Sequence, residues 1–168
     1  MEDKTYYRTI AKTQRKELDI KKISSKLCDI LSKTDEYINA KDVLIYYPLK
    51  YEISLLELLS DDKQFYLPKV FNEDLQVCPY SEDLMVSSLG IKEPCNNPVT
   101  AERLDLIIVP ALMVDKENYR LGYGGGYYDR FLTRYPHIKS VTLISEKFCV
   151  EKLPHDVFDV PVDIVIAV

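Results

Sequence analysis

Four of the five glycines in this chain fall within five positions, at Gly122, Gly124, Gly125 and Gly126. They lie in the run Arg120-Leu121-Gly122-Tyr123-Gly124-Gly125-Gly126-Tyr127-Tyr128-Asp129. Glycine loses more backbone freedom on folding than any other residue, and this sequence avoids it elsewhere. Such a cluster implies backbone that approaches a ligand closely or adopts positive φ. The run leads into a predicted helix, whose N-terminal N–H groups and dipole favour an anion. Arg120 adds a planar fork of donors matched to phosphate oxygens. A ligand-free flexible loop accounts for the glycines but not for the flanking Arg, paired Tyr and Asp. No Lys-Ser or Lys-Thr follows, as a P-loop requires, and Tyr127 occupies the last glycine position of a dinucleotide fingerprint. The pattern points to a phosphate-binding loop of neither common kind.

The elements that must carry this loop read as an α/β domain. Asp3 to Lys33 has helical periodicity, as one helix or two, with Ile20, Ile23, Leu27 and Ile30 on one face and Asp19 as a cap for a second piece. Lys4 and Arg8 stand i, i+4 on that helix and face the same way, with Lys12 and Arg15 continuing roughly along it. Both Lys4 and Arg8 are expected to be exposed when no ligand is bound. Strands are expected at Val43–Tyr47, Phe65–Leu67 before Pro68, Leu75–Val77, Leu106–Val109, Val141–Ile144 and Ile164–Ala167. A short helix is expected at Leu55–Leu59 and another over Tyr127–Arg134. Residues 81–104, rich in Ser, Asn and Pro, read as a structured connection. The unbroken apolar run Leu106–Val109 suits a strand covered on both faces, as in a parallel sheet. Alternating strands and helices, with no repeat or linker, predict one domain over residues 1–168.

Composition narrows the function classes. With 46% hydrophobic residues, the chain can bury a core without disulfides or metals. Cys28, Cys78, Cys95 and Cys149 form no CxxC pair, and His137 and His155 are the only histidines, so a zinc site has little to build on. The cysteines are expected to be free thiols, mostly buried. A net charge of −5 argues against nucleic-acid binding. Residues 1–34 nevertheless hold nine Lys or Arg against five Asp or Glu, a basic segment able to recruit one anionic ligand. No apolar run approaches the roughly 20 residues that span a bilayer, and the first ten residues lack the apolar stretch of a signal peptide. A cytoplasmic, monomeric protein with no membrane or nucleic-acid partner is the expectation.

The segment RLGYGGGYYDRFL resembles the glycine-rich signature of the 5-formyltetrahydrofolate cyclo-ligases, also called methenyltetrahydrofolate synthetases. The resemblance runs from about Lys4 to Asp163, through YPLKYEIS near residue 50, GIKEP at 90–94, DLIIVPALMVD at 105–115 and DVPVD at 159–163. It departs at Ala111, where a glycine is expected, and at Val114, where an aromatic is usual. Tyr123 stands at a position that is basic in some relatives and aromatic in others. The resemblance implies a mostly parallel sheet flanked by helices, like that of sugar-phosphate isomerases and CoA transferases. It also implies use of ATP and Mg2+ to convert 5-formyltetrahydrofolate to 5,10-methenyltetrahydrofolate. By the same resemblance, Lys4, Arg8 and Arg120 bind ATP together with Leu121, Gly122, Tyr123, Gly124, Gly125, Gly126, Tyr127 and Tyr128. Tyr47, Glu52, Tyr123 and Tyr127 face the folate, and Asp129 and Asp159 coordinate the metal. No covalent nucleophile is expected. A sugar-phosphate isomerase or acyl-CoA-type enzyme on the same fold needs neither the glycine signature nor the Lys4/Arg8 pair, and a binding-only regulator would bind without turnover.

Overall fold

The computed structural model describes residues 2–168, so position 1 of the expected 1–168 unit lies outside the described residues. The N-terminal segment forms α1 (Lys4–Gln14) and α2 (Ile20–Leu31), separated by a 3-10 turn at Arg15–Glu17. Asp3 caps the first by accepting from the Tyr6 N–H, and Asp19 caps the second by accepting from the Lys22 N–H. A short α3 (Asp35–Asn39), capped by Thr34, was not foreseen.

Six strands form the main sheet: β1 (Asp42–Leu44), β2 (Gln64–Phe71), β3 (Asp74–Pro79), β6 (Leu106–Ile108), β9 (Lys139–Ile144) and β11 (Ile164–Ala167). Their order is β11-β9-β6-β1-β2-β3, and only β3 runs antiparallel to its neighbour. The all-buried triplet of β6 serves two cores at once. Leu106 and Ile108 pack with Leu27 and Leu31 of α2, whereas Ile107 packs on the other face with Phe131 and Leu132 of α4 (Tyr127–Arg134). Helices therefore cover both faces, the arrangement that keeps a parallel sheet dry.

Several local expectations change. Pro68 does not end its strand, because β2 continues to Phe71 against β3. The Tyr80 N–H bonds to the Phe65 carbonyl, and alternation from that pair turns the Pro68 nitrogen away from β3, so its missing N–H breaks no ladder bond. Val43–Tyr47 is regular only over Asp42–Leu44, and the expected helix at Leu55–Leu59 is a 3-10 turn at Leu56–Ser60. The connection 81–104 holds a hairpin of β4 (Leu84–Val86) and β5 (Lys92–Pro94). Strands β7 (Met113–Asp115), β8 (Arg120–Leu121) and β10 (Cys149–Val150) make a small sheet that was not foreseen. Arg120 and Leu121 thus belong to a strand, and the glycine loop proper begins at Gly122. Cys28 and Cys78 are buried while Cys95 and Cys149 are exposed, so half of the thiols, rather than most, are covered. Among the described residues, no helix is long and apolar enough to cross a membrane.

Candidate functional site

The chain leaves β1 towards β2 and β3 on one side, then returns to β6, β9 and β11 on the other. Segments following the C-terminal ends of β1 and β6 diverge there, the place where open α/β sheets collect ligands. A cavity of about 1160 Å³ lies at this divergence, lined by Tyr46, Tyr47 and Glu52 after β1 and by Pro110 after β6. Its volume exceeds the usual upper range of about 1,000 Å³ for a single small-molecule pocket.

The glycine loop forms one part of the wall. Gly124 and Gly126 have φ of +111° and +67°, values that L side chains rarely adopt. Gly126 is the left-handed N-cap of α4, and a Cβ there would also run into the Arg130 guanidinium. Gly125 has ordinary φ, and a Cβ there would run into the Tyr127 ring. Gly122 meets nothing, so only part of the cluster is explained by backbone conformation.

Lys4, Arg8 and Arg120 line the cavity together with this loop. Arg8 donates from Nε to the Gly122 carbonyl at 2.9 Å, and its guanidinium lies over Gly124. Arg120 donates from Nη1 to Asp129 Oδ1 at 3.0 Å, while its Nε is enclosed without a partner among the described residues. Lys4 donates to Asp159 Oδ2 at 2.6 Å and to Asp156 Oδ2 at 3.0 Å. The Lys4 side chain is 28% exposed, so the expectation of an open basic face gives way to one already paired. Burial alone would lower the Lys4 pKa, but the two carboxylates outweigh it and raise it above the ordinary lysine value. Lys4 remains charged at neutral pH.

Asp129 and Asp159 are both oriented by backbone. Asp129 Oδ1 also accepts the Val160 N–H, and Asp159 Oδ2 accepts the Asp156 N–H. The second oxygen of each has no protein partner among the described residues. The nearby Asp163 is different: its Oδ2 accepts the Ser140 N–H and hydroxyl, tying β9 to the start of β11. Asp115 likewise serves structure, accepting N–H bonds from Glu117, Tyr119 and Leu153. Asp129 and Asp159 line the cavity, whereas Asp115 and Asp163 do not.

Glu52 is 6% exposed, unusual for a carboxylate in a loop. Its Oε2 accepts the Leu49 N–H at 2.7 Å, and its Oε1 accepts the Tyr123 hydroxyl at 2.7 Å. Arg15 Nη1 donates to the same Tyr123 oxygen at 2.9 Å. Arg15, Tyr123 and Glu52 therefore form a chain of hydrogen bonds in which each member fixes the next. Burial, followed by the Glu52 charge, pushes the Tyr123 pKa well above the usual tyrosine value, so the hydroxyl stays protonated and donating. Arg15 was placed only on the basic face of the N-terminal segment, yet it is 7% exposed. Its i, i+7 relation to Arg8 was the available signal. Tyr46, Glu93 and Asp156 also line the cavity without having been singled out. Tyr47 lies under the Lys92 ammonium, Tyr127 under the Arg130 guanidinium, and Tyr128 beside Arg120.

Among the described residues, no three His, Cys, Asp or Glu side chains converge as a metal cage. Any divalent cation held by Asp129 and Asp159 would need further oxygens from a ligand or water.

The chain matches the family model "5-formyltetrahydrofolate cyclo-ligase family" over residues 4–168. It is 38% identical over 93 residues to the 5-formyltetrahydrofolate cyclo-ligase of Escherichia coli K12, covering 52% of this chain and 50% of that protein. The chain thus aligns with half the length of that relative. The Haemophilus influenzae protein of the same name is 31% identical over 140 residues, covering 75% of each. The solution structure of 5,10-methenyltetrahydrofolate synthetase from Aquifex aeolicus superposes with a TM-score of 0.84 at 32% identity, covering 98% of this chain and 89% of that one.

Proposed function

The chain belongs to the 5-formyltetrahydrofolate cyclo-ligase family, and we propose that it converts 5-formyltetrahydrofolate and ATP to 5,10-methenyltetrahydrofolate, ADP and phosphate. The observation that carries this reading is the joining of two chemically different regions in one cavity. One offers Lys4, Arg8, Arg120, the N-terminal end of α4 and the glycines to a polyphosphate. The other offers Glu52, Tyr46 and Tyr47 to a ring system.

The reaction must expel the formyl oxygen, and hydroxide is a poor leaving group at neutral pH. Transfer of the γ-phosphoryl group to that oxygen breaks the bond to ADP and makes the oxygen part of a phosphate ester. N10 then attacks the formyl carbon and gives up its proton. Phosphate departs with the former formyl oxygen, leaving the methenyl carbon between N5 and N10. Positioning and charge stabilisation are what the protein supplies in such a transfer. Arg120, whose Nη1 pairs with Asp129 at the cavity wall, and Arg8, with its guanidinium over Gly124, are the donors for phosphate oxygens. The Arg15–Tyr123–Glu52 chain orients the Glu52 carboxylate towards the folate ring.

Magnesium fits the donor set. One free oxygen on Asp129 and one on Asp159, with phosphate oxygens and waters, match the one or two carboxylates magnesium ordinarily takes. When bound, the ion supplies neutralisation of the phosphate charge, and Asp129 and Asp159 are the residues that would hold it. The proposal extends to a single domain acting as a cytoplasmic monomer.

The test is to mix the protein with Mg-ATP and 5-formyltetrahydrofolate and follow the near-ultraviolet absorbance of the methenyl product. ATP-dependent appearance of that band is expected. Binding of both substrates with no turnover would leave a binding-only regulator instead.

A further inference from the structure

Pro68 and Val70 of β2, Leu75 of β3, and Leu89 and Ile91 of the β4–β5 hairpin give the cavity an apolar wall. One carboxylate, Glu93 of β5, is set into it and is 5% exposed. Its Oε1 accepts the Val70 N–H at 3.0 Å, the group left open on the edge of β2 beyond β1. Its Oε2 has no hydrogen bond and no cationic partner among the described residues. Glu52 differs, since each of its oxygens already has a donor.

Closing a strand edge requires only a neutral acceptor. A buried carboxylate is costly unless donors meet its remaining lone pairs. We propose that Glu93 is a specificity-determining residue whose Oε2 accepts an N–H from an amino-substituted heterocycle lying against the apolar wall. This rests on the proposed function, in which the cavity admits two such rings, a pterin and an adenine. Each has a flat face to lay against Pro68, Val70 and Ile91 and an amino edge to turn to the carboxylate, and one of the two occupies the position.

Glu93→Gln separates the two roles of this side chain. With its amide oxygen accepting from Val70, the variant places an NH2 where Oε2 stood, so strand closure survives and the acceptor becomes a donor. Calorimetric titration of ATP and of 5-formyltetrahydrofolate, each alone, is expected to show at least about tenfold weaker binding of one, with the other and the melting temperature near the parent values. The weakened arm identifies the ring. On the parent protein, with no substitution needed, the matching analogue should lose a similar factor: inosine triphosphate for adenine, or a 2-desamino folate for the pterin. Unchanged affinities in the variant and no discrimination by the parent would overturn the role of Glu93 alone. Equal weakening of both ligands alongside a lowered melting temperature would make Glu93 a strand-edge residue only. A parent that binds neither substrate would overturn the functional reading and this one with it.

Discussion

The two ends of the cavity are held in different ways. At the phosphate end the charges are paired with one another: Lys4 with Asp159 and Asp156, Arg120 with Asp129. Each of these pairs joins a group suited to phosphate with a carboxylate, and two of those carboxylates are suited to a metal. An arriving metal–polyphosphate complex brings both complementary charges and can replace these pairs without stranding either partner. At the ring end, Arg15 and Glu52 are buried and are joined by directed hydrogen bonds through the hydroxyl of Tyr123, whose ring stays partly exposed. No exchange is built in there, because a buried unsatisfied group costs more than a solvated one. The first end is suited to capture and release, and the second to a fixed shape.

The comparison breaks most visibly at Asp129. Asp129→Asn keeps an acceptor for the Val160 N–H but removes the charge facing Arg120. Turnover should fall by at least about a hundredfold, a cost of about 3 kcal/mol in the transition state, with reduced dependence on magnesium. Activity unchanged through a magnesium titration would remove Asp129 from the site.

Replacing Lys4 and Arg8 together with Gln should weaken ATP binding by well over tenfold, since charge-assisted contacts are worth about 1.5–3 kcal/mol each. Stability should change by no more than about 1 kcal/mol, because the Lys4 pairs are partly exposed and screened. Folate affinity should stay within about twofold. Titration of each ligand with parallel melting reads all three, and parental ATP affinity would leave Arg120 and the glycine loop to hold the phosphates alone.

Glu52→Gln probes the other end. An amide there keeps an acceptor for the Leu49 N–H but loses the charge and turns an NH2 towards the Tyr123 hydroxyl, so the KM for folate should rise about tenfold while that for ATP moves little. A larger change for ATP would mean the two ends have been assigned the wrong way round.

Tyr123→Phe is the mildest change. It removes the hydroxyl between Arg15 and Glu52 and leaves both with an unmet bond, which costs about 1–3 kcal/mol. Melting should drop by about 2–4 °C for each kcal/mol lost, with the folate KM rising only a fewfold. A parental melting curve would show that the chain of bonds contributes nothing to rigidity.

Much of the phosphate end was readable in the chain because its information is local. Gly124 and Gly126 occupy positive φ, and four glycines before a helix imply such a loop without any knowledge of distant contacts. Lys4 and Arg8 share a face through helical periodicity alone. The ring end carries no local pattern of that kind. Arg15 looks like another member of a basic face, and arginine is seldom buried. Glu93 sits in a short hairpin within a Ser- and Pro-rich connection, and its partner on β2 is 23 residues away.

By itself the sequence determined the alternation of strands and helices, the doubly covered β6, the glycine turn and the set of charges available for chemistry. Those follow from periodicity, backbone freedom and side-chain type, all of which act within a few residues. The tertiary structure alone decided which charges are paired and which acids face the cavity. Asp159 and Asp163 lie four positions apart in one motif, yet the first meets Lys4 across 155 residues and the second holds Ser140. That separation has a packing cause: β11 begins at Ile164 and pairs with β9, so Asp163 is drawn to the sheet. Asp159 remains in the loop before it, where the Asp156 N–H and the start of α1 turn its carboxylate towards the cavity.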